Sequence, residues 1–386
     1  MQVADHFSNI SLFTGAMGLD LGLTRAGFET RVAVEMDRFA VQTIQLNRPQ
    51  IPVLSSDIRR LSTKKILDAA KLSPGQPDIV SGGPACQAFS TVGKRASLQD
   101  PRGRLVDEFI RVVREARPRF FLMENVMGIL SAAVKHRPIK ERGKGFPPLT
   151  EDEKRGSALG QILQKIDDTG YTVSYWHLNA ADFGVPQVRH RVFFIGCRDR
   201  IELDPPVPTH DKRGGVTLPW INLREVIQDL FEKDRRGLAF SPRTRHYLKK
   251  IPAGCNWKAL PRRSWKRAIR GAYDSSGGRT GFLRRLSWDT PAPTLVAYPL
   301  ARATCMCHPE ENRPLSIREY ARIQQFPDDW IFAGGLGRQY KMIGNAVPVG
   351  LAQAVGEAIA SKLRQHLNQD SELKGMPEPV FQHVRV

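Results

Sequence analysis

Four short stretches carry the residue types that do chemistry. In Gly82-Gly83-Pro84-Ala85-Cys86-Gln87-Ala88-Phe89-Ser90, a cysteine follows an apolar run and opens a loop holding Gly93, Lys94, Arg95, Arg102, Gly103 and Arg104. Nearby cations favour the thiolate over the free thiol, whose pKa is about 8.5. Taken alone, such a cysteine reads first as an inert core residue. Met123-Glu124-Asn125-Val126 ends another apolar run and offers a carboxylate. A nucleophile and an acid brought to one place make an enzyme's constellation. In Gln187-Val188-Arg189-His190-Arg191, strand alternation turns Gln187, Arg189 and Arg191 to one face. The two guanidinium groups could hold Glu124 or a phosphate.

The fourth stretch, Phe13-Thr14-Gly15-Ala16-Met17-Gly18, lies between a strand pattern and a helix pattern. Glycines there let backbone N–H groups approach a ligand, although a simple tight turn would also use them. Glu35 follows Gly15 by 20 residues, the place from which a carboxylate meets a ribose hydroxyl in nucleotide-type folds. The glycine spacing, Gly15, Gly18, Gly22, is not that of a dinucleotide site. It leaves room for a cofactor without a pyrophosphate, and S-adenosylmethionine fits that description.

The elements that must position these groups alternate along the first two hundred residues. Apolar runs predict strands at Ile10–Phe13, Arg31–Val34, Asp78–Ser81, Phe120–Met123, Thr172–Leu178 and Val192–Ile195. Helical periodicity predicts Leu19–Ala26, Phe39–Leu46, Lys64–Leu72, Leu105–Glu115 and Ala158–Asp168. Such alternation implies a mostly parallel sheet covered on both faces, with ligands at the carboxyl ends of its strands. Ser131–Gly156 breaks the rhythm and is expected to be an exposed, mobile insertion, a solvated loop or a nucleic-acid contact. Pro205, Pro206 and Pro208 suggest a linker. Helical periodicity returns from Tyr340 to about Gln365, before an expected loose tail.

The 386 residues carry a net charge of +19, which favours a polyanionic partner. Ser241–Arg285 holds thirteen Lys and Arg against one acid, Asp274, so +12 of that charge lies there. Tyr247, Trp257, Trp265, Tyr273 and Phe282 interleave with it. The pattern suits a phosphate-backbone surface, with a plain solvated basic face as the alternative. No apolar run approaches the roughly 20 residues of a membrane span, and Met1–Ser11 lacks a secretory pattern. Five cysteines, an odd and sparse set, argue against a disulfide framework and for a reducing cytoplasm. Cys305-Met306-Cys307-His308 offers three ligand types but no fourth, so no metal is expected.

In order and content these pieces resemble the cytosine-C5 DNA methyltransferases of bacterial restriction–modification systems. The resemblance rests on Ser11–Leu23, Gly83–Ser90, Glu124–Val126, Gln187–Arg191, Arg284–Leu295, Arg313–Asp328 and Gly344-Asn345-Ala346-Val347-Pro348, and spans residues 8 to 355. It implies a mostly parallel Rossmann-like methyltransferase sheet with helices on both faces. Residues 1–197 and 335–386 would form the catalytic, S-adenosylmethionine-binding domain. Residues 198–334 would form a smaller basic target-recognition domain and hinge.

The implied activity is methylation of carbon 5 of cytosine in duplex DNA, the base flipped out and Cys86 bonded to its carbon 6. Glu124 would hydrogen-bond the ring. Arg189 would contact the base and orient that carboxylate, with Arg191 in support. Phe13, Gly15, Gly18, Leu19, Glu35, Met36, Asp57, Ile58, Pro84, Asn345 and Val347 would surround the donor. Gln87, Ser90, Arg104, Arg284, Arg285 and Thr294 would contact DNA. Arg279 would fill the gap left by the base or hold a phosphate. The chain departs from the family at Ala85, where proline is usual; alanine keeps the same path but fixes it less. The resemblance further implies a cytoplasmic monomer. It leaves open a cognate restriction endonuclease, and transfer RNA as an alternative substrate; a retired, non-catalytic scaffold is a second alternative, and an oxidoreductase, which the glycine spacing disfavours, a third.

Overall fold

The computed structural model describes residues 6–84, 105–230, 234–274 and 279–375, with side chains in the last helix to 366 and none at 139. Its centre is one seven-stranded sheet. The strands are β1 (Phe7–Leu12), β2 (Phe28–Glu35), β3 (Val53–Ser55), β4 (Ile79–Gly82), β5 (Phe120–Val126), β6 (Thr172–Asn179) and, after the two-residue β7 (Gln187–Val188), β8 (His190–Cys197). The order is β3-β2-β1-β4-β5-β8-β6. Only β8 runs antiparallel to its neighbours, against β5 and β6. The predicted α/β sheet is therefore present. The strand β3, only three residues long, was too short to leave a pattern.

Helices α1 (Gly18–Arg25), α2 (Arg38–Asn47), α3 (Thr63–Ala70), α4 (Leu105–Ala116) and α5 (Ser157–Asp167) follow the predicted periodicity. Local chemistry sets their starts. The Asp37 carboxylate accepts from the Phe39 and Ala40 amides, and Ser62 caps α3 through the Lys65 amide. One face of the sheet packs Val80, Phe121, Met123 and Phe194 against α3, α4 and α5. The other packs Phe7, Phe28, Phe120 and Phe193 against α1 and the long C-terminal helix.

Leu203 joins the core under the sheet, and most other buried apolar residues of 198–334 divide between two further cores. Helix α6 (Leu223–Ile227) and apolar residues from Leu286 to Phe332 pack with Ala16, Met17 and Leu21. A separate small core joins Phe240, Leu248, Trp257, Ile269, Leu283, Cys305 and Cys307. It is built on α7 (Pro242–Leu248) and α8 (Trp265–Ile269). The chain returns through α9 (Ile317–Ile323), α10 (Leu336–Asn345) and α11 (Val349–Gly375), the last running past the expected end near Gln365.

The insertion expected to be exposed is so, and it carries structure of its own. Ser131–Gly156 is largely exposed, yet it folds on itself through short 3-10 turns. The Lys135 amide donates to the Asp152 carbonyl, and Arg137 pairs with Glu153. Oppositely charged side chains pair across it, Lys135 with Asp152 as well as Arg137 with Glu153. No described helix is long and apolar enough to cross a membrane.

Candidate active site

The carboxyl ends of β1, β2, β4 and β5 open into one cavity of about 530 Å³. One end is the turn after β1. Phe13, Gly15 and Met17 all take left-handed backbone angles there, with φ of 56°, 58° and 68°. Gly18 cannot carry a side chain, since a Cβ would lie 2.4 Å from the Val347 carbonyl oxygen. Leu19 also lines the cavity from the start of α1. Glu35, at the end of β2, is held by three backbone amides: Gly15 on one oxygen at 2.8 Å, Met36 and Asp37 on the other, each at 2.8 Å. Met36 is 64% exposed although it lines the cavity. Asp57 caps a short turn with Ile58 buried beneath it, and Arg59 beside it holds its carboxyl below the usual range.

The other end is formed by Gly83, Pro84, Glu124, Asn125, Arg189 and Arg191. A Cβ on Gly83 would come within 3.0 Å of Glu124 Oε2, so the chain leaving β4 runs past the carboxylate. Cys86, Gln87, Ser90 and Arg104 lie outside the described residues, as does Ala85.

Arg191, not Arg189, meets the acid: its Nε donates to Glu124 Oε1 at 2.7 Å, both side chains being 12% exposed. Burial pushes the Arg191 guanidinium below its usual range, and Glu124 pulls it back. Arg189 is 1% exposed. It donates to the carbonyls of Leu295, Gly344 and Ala346 at 3.1, 2.9 and 3.0 Å. The expectation that Arg189 orients the carboxylate is corrected: it fastens the far wall, which carries Asn345 and Val347. The reason is local. β7 pairs with Ala292–Pro293, whereas β8 joins the main sheet, so the chain changes sheets at Arg189. Arg189 Nε and Asn125 Nδ2 have no hydrogen-bond partner among the described residues, and both residues line the cavity.

Three charged cavity residues escaped the sequence reading: Asp37, Arg338 and Lys341. The Lys341 ammonium stands 4.0 Å from Asp37, and Arg338 lies over the Phe39 ring. Their one signal is a pair of cations three apart on α10, which also reads as a solvated face.

Two of the residues expected on DNA are used internally. Arg285 is 4% exposed and donates to the Leu248, Ile251, His308 and Glu311 carbonyls and to Asn312. With its donors spent inside the fold it cannot reach a phosphate, which corrects that expectation. Arg279 donates to the Ala272 and Tyr273 carbonyls and lies over the Trp257 ring. Arg284 is half-buried against the Cys305 carbonyl. Thr294 is exposed, its hydroxyl donating to the Val188 carbonyl beside the cavity wall. Cys305 and Cys307 are buried, and burial pushes both thiols up to about 12.

The arrangement offers a rigid carboxylate beside a glycine turn and, in the same cavity, a second carboxylate neutralised by a guanidinium. Residues 7–361 match the family described as C-5 cytosine-specific DNA methylase. The chain is 37% identical over 362 residues to the type II methyltransferase M.PspPI of Psychrobacter sp. (strain TA137), covering 92% of this chain and 80% of that one. It is likewise 37% identical over 354 residues to the type II methyltransferase M.Sau96I of Staphylococcus aureus, covering 92% and 75%. Among solved structures, an E. coli protein assigned as a prophage-encoded DNA modification methyltransferase superposes with a TM-score of 0.62 at 25% identity. That match covers 93% of this chain and 99% of the other.

Proposed function

The chain belongs to the C-5 cytosine-specific DNA methylases, and from that membership we propose that it methylates cytosine in a specific duplex sequence with S-adenosylmethionine as donor. The observation that carries the reading is the single cavity with Gly15, Gly18 and Glu35 at one end and Pro84, Glu124 and Arg191 at the other. The residues fit such a donor. Glu35 is fixed by three amides as an acceptor for ribose hydroxyls. Exposed Met36 offers an apolar face to adenine, and Asp57 with Ile58 an edge for it. Phe13, Leu19, Asn345 and Val347 complete the walls. Bound there, the donor supplies an electrophilic methyl group on a sulfonium sulfur.

The protein's own work is to make carbon 5 nucleophilic. A Cys86 thiolate adds to carbon 6, and the ring becomes an enamine. The negative charge that this addition places on N3 is met by a proton delivered through Glu124, which gives the neutral enamine, and the Glu124 carboxyl also accepts from the exocyclic amine. Arg191 holds Glu124 in place. Once carbon 5 carries the methyl group, loss of its proton and departure of the sulfur restore the aromatic ring and the thiolate. The target base must leave the stack, at a cost of a few kcal/mol. Residues 1–197 with 335–386 supply this chemistry, and residues 198–334 read the DNA. The setting proposed is the cytoplasm, with a cognate endonuclease as functional partner.

Incubation with a 5-fluorocytosine duplex tests the mechanism, because fluorine cannot leave as the proton does. A covalent adduct that needs both the donor and Cys86, and is absent in Cys86→Ala, is expected. Donor-dependent methylation by Cys86→Ala would overturn it. Equal labelling of transfer RNA in a side-by-side assay would overturn the choice of DNA.

A further inference from the structure

Beneath the glycine turn lies a carboxylate that the proposed chemistry does not use. Asp20, in the first turn of α1, is 1% exposed. Its Oδ2 accepts from the Ser11 hydroxyl at 3.0 Å. Its Oδ1 accepts from the Thr30 hydroxyl at 2.9 Å and from Asn9 Nδ2 at 3.3 Å. The Ser11 oxygen lies 3.0 Å from the Thr14 hydroxyl. Ser11 and Thr14 both line the donor cavity, and Thr14 sits inside the run of left-handed angles at Phe13, Gly15 and Met17. Non-glycine residues avoid such angles unless their surroundings impose them.

We propose that Asp20 is a positioning residue for the methyl donor: as a carboxylate it holds the strained turn Phe13–Met17 in its donor-binding form, acting through Ser11 and Thr14. The inference rests on the reading that the donor occupies this cavity.

The chemistry follows from counting donors. An ionised carboxyl only accepts, and three side-chain donors and the residue's own backbone N–H converge on its two oxygens. Every group facing it is neutral: Asn9 and Ser11 from β1, Thr30 from β2 and Thr14 from the turn, with Ser81 of β4 behind Asn9. The start of α1 favours negative charge. Burial raises the Asp20 carboxyl to about 6, the Ser11 and Thr30 hydrogen bonds opposing the rise. Protonation puts a hydrogen where Ser11 now donates. Ser11 must then turn its own hydrogen toward Thr14, and the tie between the turn and β1 is remade. Donor binding and Asp20 ionisation are therefore linked, and each promotes the other.

The test is calorimetric titration of the full chain, without DNA, with S-adenosylhomocysteine. Affinity is expected to be level from about pH 8 to 7 and to fall, by up to about tenfold per pH unit, below about 6. Binding near pH 6 should release a proton, read as a heat that changes with the buffer's ionisation enthalpy. Asp20→Asn faces donors with a donor at every pH. It should bind roughly tenfold or more weakly at about pH 8, with a flat profile down to about 5. A merely structural role would lower affinity and melting temperature together and leave the pH profile in place. That result, or a wild-type profile without proton release, overturns the inference. The proton-release measurement needs no variant, so a poorly folded Asp20→Asn does not blunt the test. If wild-type protein binds no S-adenosylhomocysteine at any pH, the donor reading itself has failed.

Discussion

Two arginines separated by one residue have opposite tasks. Arg191 lies at the cavity and neutralises Glu124. Arg189 faces backbone carbonyls, and burial, helped by neighbouring Arg191, lowers its guanidinium well below the ordinary range. Removing them should therefore give opposite signatures. Arg191→Ala removes the cation that positions Glu124, and turnover should fall by about 100-fold or more, with a smaller loss of melting temperature than in Arg189→Ala because the unpaired Glu124 still faces the cavity. Arg189→Ala strands buried carbonyls and should cost about 3–5 kcal/mol of stability, seen in thermal and denaturant curves. If Arg189→Ala instead keeps its stability and loses only turnover, the assignment of the two residues is reversed. The sequence put both on one strand face; it held no sign that the chain changes sheets between them.

At the scale of elements, the close approach of α1 to α11 fixes the donor end of the cavity. A Cβ at Gly22 would lie 2.4 Å from the Ala352 Cβ and 2.5 Å from the Val349 carbonyl oxygen. Gly160, on α5, has nothing within 4 Å of the same position. Both glycines lie within helices, so propensity alone predicts that alanine stabilises each by up to about 1 kcal/mol. Packing should divide them. Gly160→Ala is expected to gain roughly 0.5–1 kcal/mol, and Gly22→Ala to lose about 1–3 kcal/mol as the helices are forced apart. Urea unfolding of both variants measures this, and a shift in the same direction would mean that α11 yields. β3 and the short helices α6–α9 were not legible, whereas six strands of the sheet and helices α1–α5 were, from their period. Their separations were not, because a glycine in a pattern does not name what lies across from it.

For the whole molecule, charge is segregated. The cavity lies at the carboxyl edge of the sheet, whereas +12 of the +19 lies in Ser241–Arg285. Arg279 and Arg285 of that stretch are engaged inside the fold, but Lys249, Lys250, Lys258, Arg262, Arg263, Lys266 and Arg267 are exposed. The exposed set can release counterions from DNA. Duplex affinity should fall steeply with salt, by about 0.9 in log–log slope for each phosphate neutralised. Replacing Lys249, Lys250, Arg262 and Arg263 by alanine should flatten that slope by up to about 4. A slope unchanged by the four substitutions would turn this face away from DNA.

What the sequence determined by itself was whatever is local. The α/β alternation, the glycine turn, the carboxylates closing β2 and β5, and the basic stretch all follow from spacing along the chain. The tertiary structure alone decided which arginine reaches Glu124 and which arginines are consumed by carbonyls. It alone decided that Asp20 lies under the turn and that α10 lends Arg338 and Lys341 to the cavity. A side chain's partner depends on what the fold brings across from it. Burial then sets the strength of the pairing, because a charge away from water must take whatever donor or acceptor stands beside it.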